Sequence, residues 1–354
     1  MALSTAITWD NTALPFDTSG SPLLTGEFDV LQVDDTYYLY VNNWGGCPGV
    51  DCCDSPSGCS SCCFNPPSDE FPDSCVYTTN HSVVVYSTTN FKSFRHRGVA
   101  LPLTGGNRAE GVEFRPHVVY NAKTGLFIMW YEDRWVNGTD NPGYAVATSE
   151  SPEGPFKTVQ NSTTMATSSK IGDFDIFIDD DGKAYHVRTR FVVELLTDDY
   201  LDSARSQWAT FEDPSGAGES PVMFKRADTY FILYGSDCCA CKGGSSISVV
   251  SASSPLGPFT ALGEIGTNSS GLFSTNAQGS AVFEIPNSNG SAPSTIIWAG
   301  NQWVTSQFPG KPRNHDLLYL TPLKFLSNGS IALVDWSPAV ELPFLHRQAL
   351  AQFH

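Results

Sequence analysis

Four carboxylic acids and one amide recur at equivalent places in the chain, each on a turn directly before a strand-like run. Carboxyl groups held close together can perform general acid and base catalysis, because one donates a proton while another accepts one. The equivalent residues are Glu27, Glu113, Asp173, Glu219 and Gln278. Glu219 is the most informative, because in AGESPVMFKRADTYFILYGS a turn of small residues precedes an alternating apolar and aromatic run. A sheet protein can hold a general acid at the rim of a pocket in such a position.

The elements that must position these residues are strands. Period-2 runs bounded by turn-forming residues recur through the chain and helical periodicity is almost absent, so we predict an all-β fold. The five leading runs are GEFDVLQVDDTYYLYV, EFRPHVVYNAKTGLFIMWY, GDFDIFIDDDGKAYHV, GESPVMFKRADTYFILY and QGSAVFEIPNSNGSAPSTIIWAG. Each repeat also carries a strand followed by a turn, as in YAVATSESPEGPF and ISVVSASSPLGPF. The prolines of SPxGPF fix φ and lack a donor, so they end one strand and set the link to the next.

The repeats predict a five-bladed β-propeller, because equivalent places in a closed ring converge on one axis. A two-sheet sandwich would explain the strands but not why the carboxylates recur in register. No linker divides the 354 residues, and all-β folds often use this much sequence for one domain. We therefore predict a single domain over residues 1–354, with a cysteine-rich insertion at 47–75 and further cysteines in a loop at the active-site mouth.

Composition excludes some classes of partner. The formal net charge of -17, with only 20 Lys+Arg, argues against a nucleic acid and favours neutral substrates. No apolar run approaches the ~18 residues that span a bilayer. The opening MALSTAITWD lacks the basic start and long apolar core of a signal peptide, and is interpreted as a mature start.

Ten cysteines and six Asn-x-Ser/Thr acceptors predict a secreted, extracellular protein. Seven cysteines lie in 47–75 and three in 238–241, and the odd count in each group favours at least one bridge between the groups. Such a bridge would clamp two loops across the mouth of the ring. Vicinal disulfides at the adjacent cysteine pairs and a zinc cluster are the alternatives, and secretion makes zinc the weaker one.

Two motifs resemble glycoside hydrolase family 43, the five-bladed propeller enzymes. GDFDIFIDDDGKAYHV is similar to that family's third-blade signature, and Glu219 before KRADTYFILYGS to its fourth-blade acid. Within the family, EFRPHVVYNAKTGLFIMWY, NAQGSAVFEI and GNQW are most similar to the exo-β-1,3-galactanases. The resemblance implies that Glu219 is the acid, that Glu113 orients the sugar, and that Gln278 takes the part of the base.

The sequence departs from the family pattern at two positions. Glu27 occupies the first-blade base position, with Asp29 two residues further on the same strand face, and Asn301 stands where relatives often carry Asp. Two candidates for the base therefore stay open. Glu27 is chemically ordinary, because a carboxylate takes a proton from water directly, whereas the neutral amide of Gln278 would need an unusual tautomer or a proton relay.

Hydrolysis of a glycosidic bond with inversion needs one protonated carboxyl at the leaving oxygen and a second group that activates water from the opposite face. Glu219 suits the acid role if a neighbouring negative charge or burial raises its pKa, and Asp173 on the adjacent blade could supply that charge. Asp175, two residues on, is a weaker candidate for the site. The following DDDG reads as a strand-to-strand turn, since the acidic run lacks the Gly and distal Glu of an EF-hand loop.

Several further residues are candidates for contacting a sugar. Glu113 and Arg115 could hydrogen-bond adjacent sugar hydroxyls, although a purely structural ion pair is the alternative. Aromatic rings could stack on a pyranose face, although aromatics in strands are more often core. The candidates for substrate binding are Arg115, Trp303, Asn301, Tyr131 and Trp44. No metal or other cofactor is predicted, and His186 and His315 are interpreted as structural.

The resemblance, taken with these residues, implies an inverting exo-β-1,3-galactanase that acts on galactan or arabinogalactan-type polysaccharide. An α-L-arabinofuranosidase or β-xylosidase of the same fold is the alternative enzyme. A catalytically inactive, glycan-binding propeller is the alternative from another class, and the joint presence of Glu113, Asp173 and Glu219 argues against it. The predicted partner is an oligo- or polysaccharide, with neither nucleic acid nor membrane, and the default oligomeric state is a monomer.

Overall fold

A computed structural model describes residues 6–43, 82–102, 112–134, 143–167, 171–211, 218–235, 243–267, 275–287, 293–303, 305 and 314–344. Within these ranges the chain forms 21 strands and no helix, and so no helix that could cross a membrane. The strands are β1 (Ile7–Asp10), β2 (Phe28–Val33), β3 (Thr36–Asn43), β4 (Ser82–Thr88), β5 (Arg95–Leu101), β6 (Val112–Asn121), β7 (Leu126–Arg134), β8 (Gly143–Ser149), β9 (Lys157–Gln160), β10 (Phe174–Ile178), β11 (Ala184–Arg188), β12 (Val192–Leu196), β13 (Ser203–Thr210), β14 (Glu219–Arg226), β15 (Thr229–Gly235), β16 (Ser248–Ala252), β17 (Thr260–Glu264), β18 (Gln278–Ile285), β19 (Thr295–Gln302), β20 (Leu317–Pro322) and β21 (Ala339–Leu342).

The strands form five antiparallel sheets that we call blades 1 to 5. Blades 1 to 4 contain β2–β5, β6–β9, β10–β13 and β14–β17, and blade 5 contains β18–β20. A separate pair, β1 with β21, lies beside β20. The Asn11 side chain links this pair to blade 5, because its Oδ1 accepts from the backbone N–H of Leu320 at 2.9 Å and its Nδ2 donates to the carbonyl of Leu320 at 3.2 Å.

The blades close into a ring. The innermost strands contact one another in the order β2, β6, β10, β14 and β18, and β18 contacts β2 again. Five apolar clusters fill the five interfaces between neighbouring blades. The period-2 pattern explains this packing, because successive side chains of a strand point to opposite faces: Leu39 packs towards blade 5 and Tyr40 towards blade 2. The predicted all-β, five-bladed propeller is confirmed.

The predicted turns are also found in the structure. Asp179–Gly182 forms the tight turn between β10 and β11, with the Asp179 N–H donating to the Lys183 carbonyl at 2.9 Å. In SPEGPF, Gly154 adopts φ +82, and a Cβ there would lie 2.8 Å from the Ala100 carbonyl oxygen, so this link between β8 and β9 requires glycine. The cysteine-rich segments 47–75 and 238–241 lie outside the described residues, and their bridging stays a prediction.

Candidate active site

The five equivalent polar residues stand at one end of the innermost strands. Glu27 and Asp173 directly precede β2 and β10, Glu219 and Gln278 are the first residues of β14 and β18, and Glu113 is the second residue of β6. Glu27 and Asp173 thus lie directly before their strands, as the sequence predicts, whereas Glu113, Glu219 and Gln278 lie in the first or second position of theirs. The structure describes the backbone of Glu113, which pairs with Asp133, but not its side chain. Trp44 lies outside the described residues.

Ser220, which the sequence analysis did not identify, connects blade 4 to blades 2, 3 and 5. The Ser220 hydroxyl donates to Asp173 Oδ2 at 2.6 Å and accepts hydrogen bonds from Gln278 Nε2 at 2.6 Å and from Arg115 Nη1 at 3.0 Å. Gln278 Nε2 also lies 3.4 Å from Asp173 Oδ2. Ser220 is completely buried and follows Glu219 directly. Side chains of blades 2, 3, 4 and 5 thus meet within one hydrogen-bonded network.

Arg115 supplies the positive charge of this network. Its Nη1 lies 3.1 Å from Asp173 Oδ2 and 4.0 Å from Glu27 Oε1, and its Nη2 donates to the carbonyl of Gly279 at 3.2 Å. The Arg115 side chain is 1% exposed, whereas those of Asp173 and Glu27 are 14% and 10% exposed. The guanidinium therefore holds blades 1, 2, 3 and 5 together from beneath, and the carboxylates face the open side. Its predicted contact with sugar hydroxyls stays untested.

The amide of Gln278 has a defined orientation. Trp303 Nε1 donates to Gln278 Oε1 at 2.7 Å, and an indole N–H can only donate, so this oxygen faces Trp303 and the NH2 group faces Ser220 and Asp173. Trp303 is 2% exposed and Asn301 is 1% exposed, with its amide donating to the carbonyls of Thr25 and Gly26. In this arrangement both residues support the site from below, and direct contact with a sugar stays a prediction for each.

The two glutamates differ in burial, because Glu27 is 8% exposed whereas Glu219 is half-buried. Glu27 Oε2 accepts from Asn42 Nδ2 at 3.4 Å. Glu219 is half-buried at the start of β14, opposite Gly235 on β15, where the strand register shifts before Val222. Such bulges are common beside active sites because they redirect a side chain. The bulge places a half-buried carboxyl one residue from the Ser220 network.

Tyr131 is placed differently from the prediction. Its side chain is fully buried in the cluster between blades 1 and 2, and its hydroxyl lies 2.9 Å from Thr158 Oγ1. A ring without exposed surface cannot stack on a sugar, so the structure assigns Tyr131 to the core. Period-2 alternation alone could not separate the two roles, because a propeller strand buries both of its faces.

A second polar layer lies beneath the first. His117 Nδ1 lies 3.6 Å from Asp29 Oδ1 and 3.3 Å from Asp175 Oδ1. Asp29 Oδ2 accepts from the N–H of Val118 at 2.8 Å, and Asp175 Oδ2 accepts from the N–H of Met223 at 2.6 Å. Burial raises the pKa of Asp29, and the nearby imidazole opposes that effect. This layer links blades 1 to 4 around the axis.

His186, His315 and Asp179, which the sequence analysis also considered, make contacts that are typical of structural residues. His315 Nδ1 lies 2.8 Å from the carbonyl oxygen of Leu23, and Asp179 accepts from Lys225 and Tyr230. His186 is fully buried, stacked on Phe174. Among the described residues, no group of three or more His, Cys, Asp or Glu has an arrangement that could hold a metal ion.

This arrangement can support acid and base chemistry on a neutral substrate. A half-buried carboxyl, Glu219, directly precedes Ser220, and the Ser220 hydroxyl donates to the carboxylate of Asp173. Asp173 Oδ2 also accepts from Gln278 Nε2 and pairs with Arg115, and a second carboxylate, Glu27, lies 4.0 Å from the same guanidinium. Glu219 can donate a proton to a leaving oxygen while Glu27 or Gln278 activates water.

The five blades gather acids at one end of the propeller axis, where an enzyme of this fold could hold its active site. The family model for glycosyl hydrolases family 43 matches residues 74–270, more than half of the chain. The protein belongs to this family and is a glycosidase. No curated protein matches the sequence at a significant level.

Solved structures share the fold at low sequence identity. An exo-β-1,3-galactanase from Clostridium thermocellum is 20% identical, with a TM-score of 0.73, over 96% of this chain and 67% of that chain. A variant of the exo-β-1,3-galactanase from Phanerochaete chrysosporium, solved with β-1,3-galactotriose, is 20% identical, with a TM-score of 0.68, over 95% and 68%. A β-1,3-galactosidase of the same family, solved with galactodeoxynojirimycin, is 19% identical, with a TM-score of 0.67, over 93% and 99%. The chain thus spans about two thirds of the two exo-galactanases and nearly all of the galactosidase.

Proposed function

We propose that this glycosidase is an inverting exo-β-1,3-galactanase that acts on galactan or arabinogalactan-type polysaccharide. One observation carries the proposal: the Ser220 hydroxyl joins Asp173, Arg115 and Gln278 directly beside Glu219. In the proposed mechanism Glu219 protonates the leaving oxygen. Asp173 keeps a negative charge beside the acid, and Glu27 or Gln278 activates the water.

Three structural neighbours support the choice of substrate. Their names state action on β-1,3-linked galactose, and one was solved with β-1,3-galactotriose. The proposal also includes secretion and disulfide-bonded loops at the mouth, which the ten cysteines favour. An α-L-arabinofuranosidase or β-xylosidase is the competing enzyme, and an inactive glycan-binding propeller is the competing non-enzymatic function.

The deciding experiment incubates the protein with β-1,3-galactan, arabinan and xylan, and identifies the released sugars. Galactose released from galactan alone is the expected result. Release of arabinose or xylose as the main product would overturn the substrate assignment, and binding of galactan without release of any sugar would favour the glycan-binding function. Glu219→Gln serves as the control for contaminating activity.

The stereochemistry tests the mechanism independently of the sugar. Inversion requires acid and base roughly 6.5–9.5 Å apart, with water between the base and the sugar ring. NMR of the first-formed anomer from a β-linked substrate should show the α product. An initial β product would mean retention and a covalent intermediate.

A pair of variants separates the two candidates for the base. Azide attacks a sugar without losing a proton, so added azide should restore turnover only in the variant that lacks the base. If Glu27 is the base, azide rescues Glu27→Ala and not Gln278→Ala; if Gln278 is the base, the reverse holds. Identification of the glycosyl azide and its configuration checks that the rescued reaction still inverts.

A further inference from the structure

The Ser220 hydroxyl has no freedom in its hydrogen bonds. A hydroxyl offers one donor and two acceptor positions, and here all three are used. The Gln278 NH2 group and the Arg115 guanidinium can only donate, at 2.6 Å and 3.0 Å, so the Ser220 proton points to Asp173 Oδ2 at 2.6 Å. The direction of every bond in the network follows from the donors alone.

The same network of hydrogen bonds fixes the orientation of the Gln278 amide. The indole N–H of Trp303 fixes Oε1 at 2.7 Å, and Ser220 with Asp173 fixes Nε2. Without the hydroxyl, Nε2 would lose its contact of 2.6 Å to Ser220 and keep the longer one of 3.4 Å to Asp173. The amide would then be held less tightly about its last torsion, which is a broad and soft one.

The backbone at Ser220 adopts a conformation that is unfavourable for a residue with a side chain. Ser220 adopts φ +53, a region that disfavours a side chain, and it does so within the bulge between Glu219 and Val222. A glycine would suit this φ, but it could not join the network. Ser220 therefore keeps a hydroxyl at a position whose φ favours glycine.

We infer that Ser220 is a positioning residue of the glycosidase, which sets the orientation of the Gln278 amide and of Asp173 against Glu219. The inference rests on the proposed function and extends it, because Ser220 directly follows the proposed acid, Glu219, and hydrogen-bonds a candidate base, Gln278. Ser220 does not react with the substrate itself; it acts through the three residues that its hydroxyl joins.

Two substitutions at this position separate positioning from folding. Ser220→Gly removes the hydroxyl and relieves the positive φ, so it should be at least as stable as Ser220→Ala, which keeps the strain. Both should lose about 10- to 100-fold in kcat with a smaller change in KM, because small displacements in an active site are costly. A purely structural role predicts instead that kcat follows the melting temperature, and a Gly variant with near wild-type kcat would overturn the inference.

Ser280 offers a matched control. It is 1% exposed, and its hydroxyl also bridges two blades, accepting from the Phe28 N–H at 3.0 Å and donating to the Phe28 carbonyl at 2.7 Å. Ser280→Ala should lower the melting temperature and leave kcat within about threefold of wild type. Equal losses of kcat in the Ser280 and Ser220 variants would also overturn the inference.

Two separate measurements distinguish a failure of this inference from a failure of the proposed function. Wild-type release of galactose from galactan tests the substrate assignment alone. The ratio of variant to wild-type kcat, measured on whichever glycoside the wild type hydrolyses, tests Ser220. A protein that hydrolyses xylan but depends on Ser220 would reject the galactanase proposal and support the positioning role.

Discussion

The two polar layers around the propeller axis have the same arrangement of residues but different side chains. We call the layer around Arg115 the upper layer and the layer around His117 the lower layer. In the upper layer Arg115 of blade 2 lies between the carboxylates of Glu27 and Asp173. Two residues further along the same three strands, His117 lies between Asp29 and Asp175. Both layers therefore place a cationic or titratable group of blade 2 between acids of blades 1 and 3.

The layers differ in what blades 4 and 5 contribute. Ser220 and Gln278 bring side chains into the upper layer, whereas among the described residues blade 4 contacts the lower layer through the backbone N–H of Met223. The upper layer has a permanent positive charge on Arg115. The acids of the two layers are similarly exposed, 10% and 14% for Glu27 and Asp173 against 12% and 13% for Asp29 and Asp175. Under the proposed function the upper layer performs the chemistry, and we expect the lower layer to hold the blades in place.

The largest expected effect is on the acid beside the upper layer. Glu219→Gln keeps the shape of the side chain but removes the proton donor, so turnover on a natural polysaccharide should fall by about 10²–10⁴-fold. The melting temperature should stay close to that of the wild type. Steady-state kinetics and thermal unfolding measure the two quantities, and a variant that keeps most of its turnover on an unactivated substrate would reject the acid assignment.

The next effect tests the lower layer. His117→Phe leaves Asp29 and Asp175 without their shared partner, so the free energy of unfolding should drop by about 3 kcal/mol. Turnover per folded molecule should remain within about threefold of wild type. His96→Phe is the control, because His96 is exposed and its replacement should change stability by less than about 0.5 kcal/mol. A loss of turnover at unchanged stability would make the lower layer part of the catalytic machinery.

A smaller effect is expected for a conservative change in the upper layer. Arg115→Lys keeps the charge but cannot reach Ser220, Asp173 and Gly279 at once, so kcat should fall by about 10-fold. Arg97→Lys is the matched control, because Arg97 pairs with Glu153 at the surface at 3.2 Å and should tolerate the change. Equal kinetics for the two Lys variants would show that the charge of Arg115 matters and its geometry does not.

The smallest effect concerns the pH dependence of stability that His186 contributes. Burial holds the pKa of His186 well below its ordinary value, and neither ring nitrogen has a hydrogen-bond partner among the described residues. The unfolded chain takes up a proton below pH ~6.5 while folded His186 stays neutral, so stability is full above that pH and falls by about 1.4 kcal/mol per unit below it.

His186→Phe should therefore flatten part of the slope of unfolding free energy between about pH 6.5 and pH 5. Denaturant unfolding of wild type and variant at several pH values measures this difference. The raised pKa of Asp29 acts in the opposite direction in both proteins, so it cancels in the comparison. An unchanged slope in the variant would mean that His186 takes up a proton in the folded state.

The sequence by itself determined the all-β class, the five repeats and the backbone places of Glu27, Asp173, Glu219 and Gln278, because strand alternation and turn residues are local properties. Only the tertiary structure decided which side chains meet. Ser220 enters the site through a bulge and a positive φ, which no local pattern marks. Tyr131 goes to the core because each propeller strand is buried on both faces, so alternation does not say which face meets solvent. Contacts between blades depend on ring closure, and closure joins residues far apart in the chain.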